Sequence, residues 1–194
     1  MTQWVESTSG GRDRGPAALA RAWVEVLVRP RRFFRTAVAP ADQAPGLVFA
    51  MATVAVAVGT RLALVPSVRP VYLDQPLPSA VFVFAAFVLV IAPLSLHLAA
   101  AFQTVLLMAF VRERAGVSET VQVIAYATAP CVLSGVPIPA VRAFAGLYSA
   151  VLLILGLAVV HDTSPLRASL AGAPVAAAVF GGAFGALSAL SALG

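Results

Sequence analysis

The sequence predicts an all-helical membrane protein: a polytopic bundle of five transmembrane helices, preceded by a short amphipathic helix at the membrane interface. Of its 194 residues, 60% are hydrophobic and only 11% are charged, whereas a soluble domain has about 25% charged residues. Long apolar runs recur from residue 45 onward, and about 20 apolar residues are enough to cross a bilayer. This composition excludes a disordered protein, a coiled coil and a typical soluble enzyme.

Charge is concentrated in an N-terminal arm, residues 1–44, which precedes the apolar region 45–194. The arm contains 11 of the 21 charged side chains, and all 13 basic residues of the chain are arginine. Residues 1–16 are polar, lack the apolar core of a signal peptide and are expected to form a disordered tail. The basic residues are not interleaved with stacking aromatic residues, so no nucleic-acid partner is expected.

The next part of the arm, residues 17–29, has the pattern of an amphipathic helix that ends at Pro30. One face is apolar, with Leu19, Trp23, Val26 and Leu27, and the other is charged. Such a helix suits the membrane interface. We expect Trp23, Phe33 and Phe34 to anchor the arm there. We expect four arginines to contact anionic headgroups or an acidic protein partner: Arg29, Arg31, Arg32 and Arg35.

Five apolar segments follow the arm, and they are predicted to span the membrane at about residues 47–65, 79–111, 120–136, 140–160 and 168–193. The second run would be about 50 Å long as one helix, against a hydrocarbon core of roughly 30 Å. It must therefore tilt, protrude into the cytoplasm or break at Pro93. The residues around Pro93 are apolar, which favours one kinked helix over a hairpin of two.

The arginine distribution predicts the orientation. With five spans and a cytoplasmic N-terminus, 10 of the 13 arginines lie inside; splitting the second run to make six spans leaves only 8 inside. Because cytoplasmic loops carry an excess of basic residues, five spans are favoured. The protein is expected in the cell membrane, with its N-terminus in the cytoplasm and its C-terminus outside.

His97 and Gln103 lie inside the second apolar run and are the candidate intramembrane polar site. The His97 ring could donate to a carbonyl that Pro93 leaves free, which is a structural role, or it could act as a proton relay or ligand contact. No further metal ligand lies three or four residues from His97. No catalytic motif and no cofactor motif is recognised, so no metal, cofactor or enzymatic activity is expected.

Gly181 and Gly185 form a GxxxG pattern in the last apolar run. This spacing allows two helix backbones to approach closely. Packing within one chain is favoured, and a homo-oligomer is the alternative.

Short motifs follow one another in order along residues 19–190. They are Pro30-Arg31-Arg32-Phe33-Phe34 in the arm, Gly116 in the turn after the second span, Tyr126-Ala127-Thr128-Ala129-Pro130 in the third, and Gly146-Leu147-Tyr148 and Gly156-Leu157 in the fourth. In order and spacing they resemble the Ypt-interacting-protein (Yip) domain family of five-span membrane proteins, in a prokaryotic-type form. The resemblance implies a non-enzymatic membrane protein, and eukaryotic relatives bind small GTPases in vesicle traffic.

Two functions are therefore considered. The first is an integral membrane protein of the Yip type that organises membrane or recruits a partner, as a trafficking-like scaffold, through its arm. The second is a small transporter or channel that uses the kinked second helix around Pro93 and His97. Membrane lipids are expected partners in either case.

Overall fold

The computed structural model describes residues 5–6, 12–13, 15–72 and 74–194. Two short strands, β1 (Val5–Glu6) and β2 (Arg12–Asp13), pair in antiparallel orientation. The remaining regular structure in the described residues is helical. The disordered tail expected over residues 1–16 falls mainly outside the described residues.

The arm forms two consecutive helices, α1 (Pro16–Val28) and α2 (Pro30–Ala37). Each begins with proline, which suits the first helical turn because its backbone nitrogen needs no partner there. Pro30 therefore starts a second helix, whereas the sequence pattern predicted only that it ends the first. The apolar face of α1 buries Ala18, Ala22 and Val26.

Four helices in the described residues are long and apolar enough to cross a membrane: Ala44–Leu64, Pro76–Phe110, Pro139–Val160 and Pro165–Ala183. They correspond to the first, second, fourth and fifth predicted spans. The predicted count of five is not confirmed, because the third segment forms no helix of that length.

The second of these, here called the long helix, runs unbroken through Pro93. It consists of α4 (Pro76–Ala86), a π-helical turn (Phe87–Ile91) and α5 (Ala92–Phe110). At the end of that turn, the backbone N–H of Ala92 donates to Phe87 O, five residues back. A wide turn next to a proline, which lacks an N–H, is a usual cause of a helix kink.

The third apolar segment forms α6 (Val117–Ala127) followed by a 3₁₀ turn (Ala129–Gly135). It lies beside α3 (Ala44–Leu64) and runs in the same direction. Three contacts establish this alignment, joining Gly46 to Gln122, Thr53 to Thr128 and Ala57 to Gly135. Pro130 prevents one continuous α-helix in this segment. The segment nevertheless lies alongside α3 over most of the length of α3.

The last two long helices pack against each other. Helix α7 (Pro139–Val160) packs against both α6 and α8 (Pro165–Ala176), and α8 continues as a π-helical segment (Ala177–Ala183). The chain then reverses at Gly185, whose φ is +75°, and a short helix α9 (Ala186–Ser191) folds back on α7. The apolar helix thus ends at Ala183, and the last residues of the predicted span over 168–193 lie in the turn and in α9.

The reversal also changes the role of the two glycines in the GxxxG pattern. Gly185 provides the left-handed turn, which glycine adopts without strain. A Cβ on Gly181 would lie 2.8 Å from a side-chain carbon of Leu187 in α9. Both glycines thus serve packing within the chain, and they do not form one face of a continuous helix.

Candidate functional site

A cluster of five aromatic residues joins the arm to the bundle. Phe33 and Phe49 both contact the Tyr126 ring edge-on, with ring centroids 4.9 Å and 5.2 Å away. Trp23 lies 4.6 Å from Phe49, and Phe34 lies 5.9 Å from Phe33. Edge-to-face pairs at these distances are favourable beyond the area that they bury. This aromatic cluster connects α1 and α2 to α3 and α6.

Hydrogen bonds surround the aromatic cluster and fix the same docking. The indole Nε1 of Trp23 donates to Ala129 O at 3.0 Å, and the hydroxyl of Tyr148 donates to Leu27 O. At the end of the arm, the side-chain amide of Gln122 accepts from Ala39 N at 3.1 Å and donates to Ala39 O at 2.6 Å. The arm is therefore part of the folded core.

This docking corrects the expectation for the aromatic residues of the arm. Phe33 and Phe34 are 0% and 1% exposed, so in this structure they pack inside the protein and do not insert among lipid headgroups. Trp23 is half-buried against Phe49. The apolar face of the arm covers the bundle and leaves its other face outward.

The outward face of the arm carries the predicted arginines. All four side chains are exposed: Arg29, Arg31, Arg32 and Arg35. Arg31 also lies at the edge of an apolar groove of about 250 Å³. The other residues around the groove come from α7 and the first residue of α8: Val151, Ile154, Leu155, Ala158, Val159 and Pro165. A cationic group thus borders an apolar surface.

His97 does not lie midway along the bundle. Its Nδ1 is 2.8 Å from Pro93 O, and its Nε2 is 3.3 Å from the side-chain oxygen of Gln43. Gln43 directly precedes α3, so His97 is level with the start of that helix. The ring bonds the carbonyl of Pro93 itself, whereas the carbonyl that a proline leaves free belongs to the residue four positions earlier.

The position of His97 also relates the long helix to its neighbours. The part from Pro76 to His97 measures about 33 Å, close to the thickness of the hydrocarbon core. Residues 98–110 continue past the start of α3 and pack against α6 and α8. The helix is unbroken at Pro93, and its tilt in the bilayer and its protrusion into the cytoplasm stay predictions.

Gln103 lies beyond His97 in the long helix and is fully buried. Its Nε2 donates to Ala171 O in α8 at 3.0 Å, and its Oε1 has no partner among the described residues. His97 is exposed and faces the start of α3, whereas Gln103 faces α8. The structure therefore does not bring these two residues together into one polar site.

A second cavity of about 810 Å³, here called the terminal cleft, lies where the ends of α5 and α7 meet the turn 111–116. Two arginines and two carboxylates line it: Arg112, Arg114, Glu113 and Asp162. His161 also lines it and is 1% exposed. Burial lowers the pKa of His161 to about 4, against the raising effect of Glu119 and together with the lowering effect of Arg114. The ring is therefore neutral at pH 7.

Sequence reasoning missed the glycines that permit the closest helix contacts. A Cβ on Gly135 would meet the backbone of α3 at Ala57 and Arg61, and one on Gly146 would overlap Ala186. A Cβ on Gly156 would lie 2.9 Å from the ring of Phe34. None of these glycines belongs to a GxxxG pattern with a second glycine. The motifs containing Gly146 and Gly156 were the only signal for them.

The four motif residues singled out in the sequence occupy distinct structural positions. Pro30 begins α2, and Gly116 directly precedes α6. Tyr126 is the centre of the aromatic cluster, and Pro130 lies in the first turn of the 3₁₀ segment. Three of the four thus lie at the start of a helical segment, and the fourth receives the arm.

Comparison with family models supports the resemblance seen in these motifs. The Yip1 domain model matches residues 24–187. Comparison with curated proteins gives no significant match, and comparison with solved structures gives none either. The matched range begins within α1 and ends within α9, and so includes Phe33 and Phe34 of the arm as well as the long helices. The chain belongs to the Yip1 domain family.

Proposed function

We propose that this protein is a non-enzymatic scaffold of the cell membrane, which organises lipid or recruits a partner through the basic face of its docked arm. The N-terminus lies in the cytoplasm and the C-terminus outside. Its membrane-spanning helices hold the arm in place, and the exposed arginines contact the anionic headgroups of the same membrane.

One observation carries this proposal: in its described part, the arm buries Phe33 and Phe34 and turns four arginines outward. Arg29, Arg31, Arg32 and Arg35 are exposed on helices whose other face is fixed by the aromatic cluster. Arg31 borders an apolar groove on α7, which suits a lipid with its phosphate at the guanidinium and its acyl chain along the helix. A rigid basic face is better suited to contact than a flexible tail, because less entropy is lost.

The orientation is supported by charge and by the course of the chain. Ten of the 13 arginines fall on one side if α3 leaves the cytoplasm and the long helix returns to it. The same assignment makes α6 run outward from the cytoplasm, parallel to α3, which agrees with the contacts between the two helices. Single cysteine variants at Ser67 and Ser164, in the cysteine-free background Cys131→Ala, test it by membrane-impermeant labelling of intact cells. Labelling at Ser164 and not at Ser67 would contradict the orientation.

The lipid contact is tested with the full chain in membranes that contain phosphatidylcholine and phosphatidylglycerol. The association of spin-labelled phosphatidylglycerol, relative to spin-labelled phosphatidylcholine, is measured by electron paramagnetic resonance. A basic residue near an anionic surface contributes about 1 kcal/mol, or about fivefold in association. The double substitution of Arg31 and Arg35 by glutamine is therefore expected to reduce the preference for phosphatidylglycerol several-fold.

The matched control is Arg69→Gln. Arg69 is an exposed arginine at the other end of α3, where its guanidinium donates to Leu62 O and Ala63 O. This variant should retain the preference for phosphatidylglycerol. Equal preference in the double variant and the wild type would refute the lipid contact of the arm, and recruitment of an acidic protein would remain as the role of its arginines.

A further inference from the structure

The terminal cleft has the composition of a binding site for an amphipathic molecule. Its walls include the apolar side chains of Met108 and Val160, and its rim carries charged side chains from the turn 111–116 and the end of α7. Two of these charges are positive and two are negative. A cleft with balanced charge and apolar walls suits a zwitterionic headgroup joined to an apolar body.

His161 supplies the observation that points to a ligand. Its Nε2 lies 3.4 Å from Thr120 Oγ1, and the Thr120 hydroxyl donates to Gly116 O at 3.1 Å. Because that hydroxyl proton is already used, Nε2 must be the donor to Thr120 Oγ1, and the neutral ring then carries its lone pair on Nδ1. Nδ1 is buried and has no partner among the described residues. Buried acceptors are rarely left without a donor.

We propose that the terminal cleft binds the headgroup of an ethanolamine phospholipid. Arg112 and Arg114 hold the phosphate. Glu113 and Asp162 hold the ammonium group, which also donates to His161 Nδ1. The site lies apart from the arm and uses none of its residues.

The chemistry of the cleft favours this headgroup over the two other common ones. The ammonium of ethanolamine has three N–H donors, whereas the quaternary ammonium of choline has none and cannot satisfy Nδ1. The hydroxyls of glycerol could donate to Nδ1, but phosphatidylglycerol has no cation to balance Glu113 and Asp162. Selectivity among these three lipids thus reports directly on the proposed contacts.

The test uses the full chain purified in detergent, with lipid binding followed by native mass spectrometry. Phosphatidylethanolamine is expected to bind about tenfold more tightly than phosphatidylcholine with the same acyl chains, as for the loss of one charge-assisted hydrogen bond. Equal binding of these two lipids, or tighter binding of phosphatidylglycerol, would overturn the proposal.

Asp162→Asn is the decisive variant, because asparagine tolerates the left-handed backbone that Asp162 adopts at a φ of 42°. It should reduce the preference for phosphatidylethanolamine over phosphatidylcholine at least about threefold, because one charged acceptor is lost. The matched control is Asp74→Asn, at another left-handed aspartate, with a φ of 57°. Asp74 lies outside the cleft, and its variant should keep the wild-type preference. Equal preference in the two variants would refute the site.

Arg114→Gln tests the phosphate contact separately from the ammonium contact. It should weaken the binding of phosphatidylethanolamine and phosphatidylcholine alike, because both lipids carry the phosphate. Unchanged binding of both lipids to Arg114→Gln would contradict the assignment of the phosphate.

Discussion

Replacement of Phe33 by alanine is expected to release the arm from the bundle. Phe33 is 0% exposed. Among the described aromatic pairs, its ring contacts both Phe34 and Tyr126 edge-on. Truncation of a buried phenylalanine to alanine costs about 3–5 kcal/mol, and the two edge-on contacts place this site near the middle or top of that range. We expect a loss of about 4 kcal/mol in the free energy of docking, or nearly a thousandfold.

The assay is limited trypsin digestion of the full chain in detergent, with the rate of cleavage after Arg31, Arg32 and Arg35 as readout. Because cleavage requires an opened arm, its rate should rise steeply in Phe33→Ala. Phe82→Ala is the control, since Phe82 is 68% exposed on the long helix. Wild-type cleavage rates in Phe33→Ala, or the same increase in Phe82→Ala, would refute the role of the aromatic cluster in docking.

Three further predictions concern the bundle, and each is checked by thermal unfolding in detergent. Gly135→Ala should destabilise the protein by about 1–3 kcal/mol or more, because its Cβ would meet the backbone of α3. The control Gly182→Ala, whose Cβ would have no neighbour closer than 3.8 Å, should be tolerated. Equal losses of stability in the two variants would contradict the close contact at Gly135. Gln103→Leu should change stability by less than about 1 kcal/mol, since it removes one hydrogen bond together with an unpartnered oxygen. A much larger loss would show that the hydrogen bond of Gln103 to Ala171 is needed for stability. Burial lowers the pKa of His161 from its ordinary value of 6.5 to about 4 in the folded protein. The stability that the neutral ring contributes is therefore complete above pH 6.5 and should be lost as the pH falls towards 4, by up to about 3 kcal/mol. A His161→Gln variant should lose less stability over that range, and equal slopes would exclude His161 as the cause.

The long apolar helices could be predicted from the sequence because hydrophobic length is a local property. Pro76–Phe110 is one helix through Pro93, as the apolar residues around the proline indicated. The end of the last helix could not be predicted in this way. Gly181 and Gly185 have the spacing of a helix contact, but the reversal at Gly185 depends on how α9 packs against Gly146, which is a tertiary effect.

Which surface covers the apolar face of the arm was also beyond sequence reasoning. An amphipathic pattern predicts that one face is covered by something apolar, and lipid and protein satisfy that requirement equally. The partner of Phe33 is Tyr126, more than ninety positions away, and periodicity contains no information about such distant pairs. Only the motif that contains Tyr126 marked the receiving side.

The hydrogen bonds that fix the arm have a consequence for biogenesis. Trp23 and Ala129 are 106 residues apart in the chain, and Leu27 and Tyr148 are 121 residues apart. The arm is synthesised before the bundle, yet it cannot make both hydrogen bonds until α7 has been made. During that interval its aromatic face is uncovered, and the bilayer surface is the nearest apolar phase. The amphipathic sequence of the arm therefore suits the membrane interface while the rest of the chain is being made. In the folded protein the bundle covers the apolar face, and the basic face remains outward.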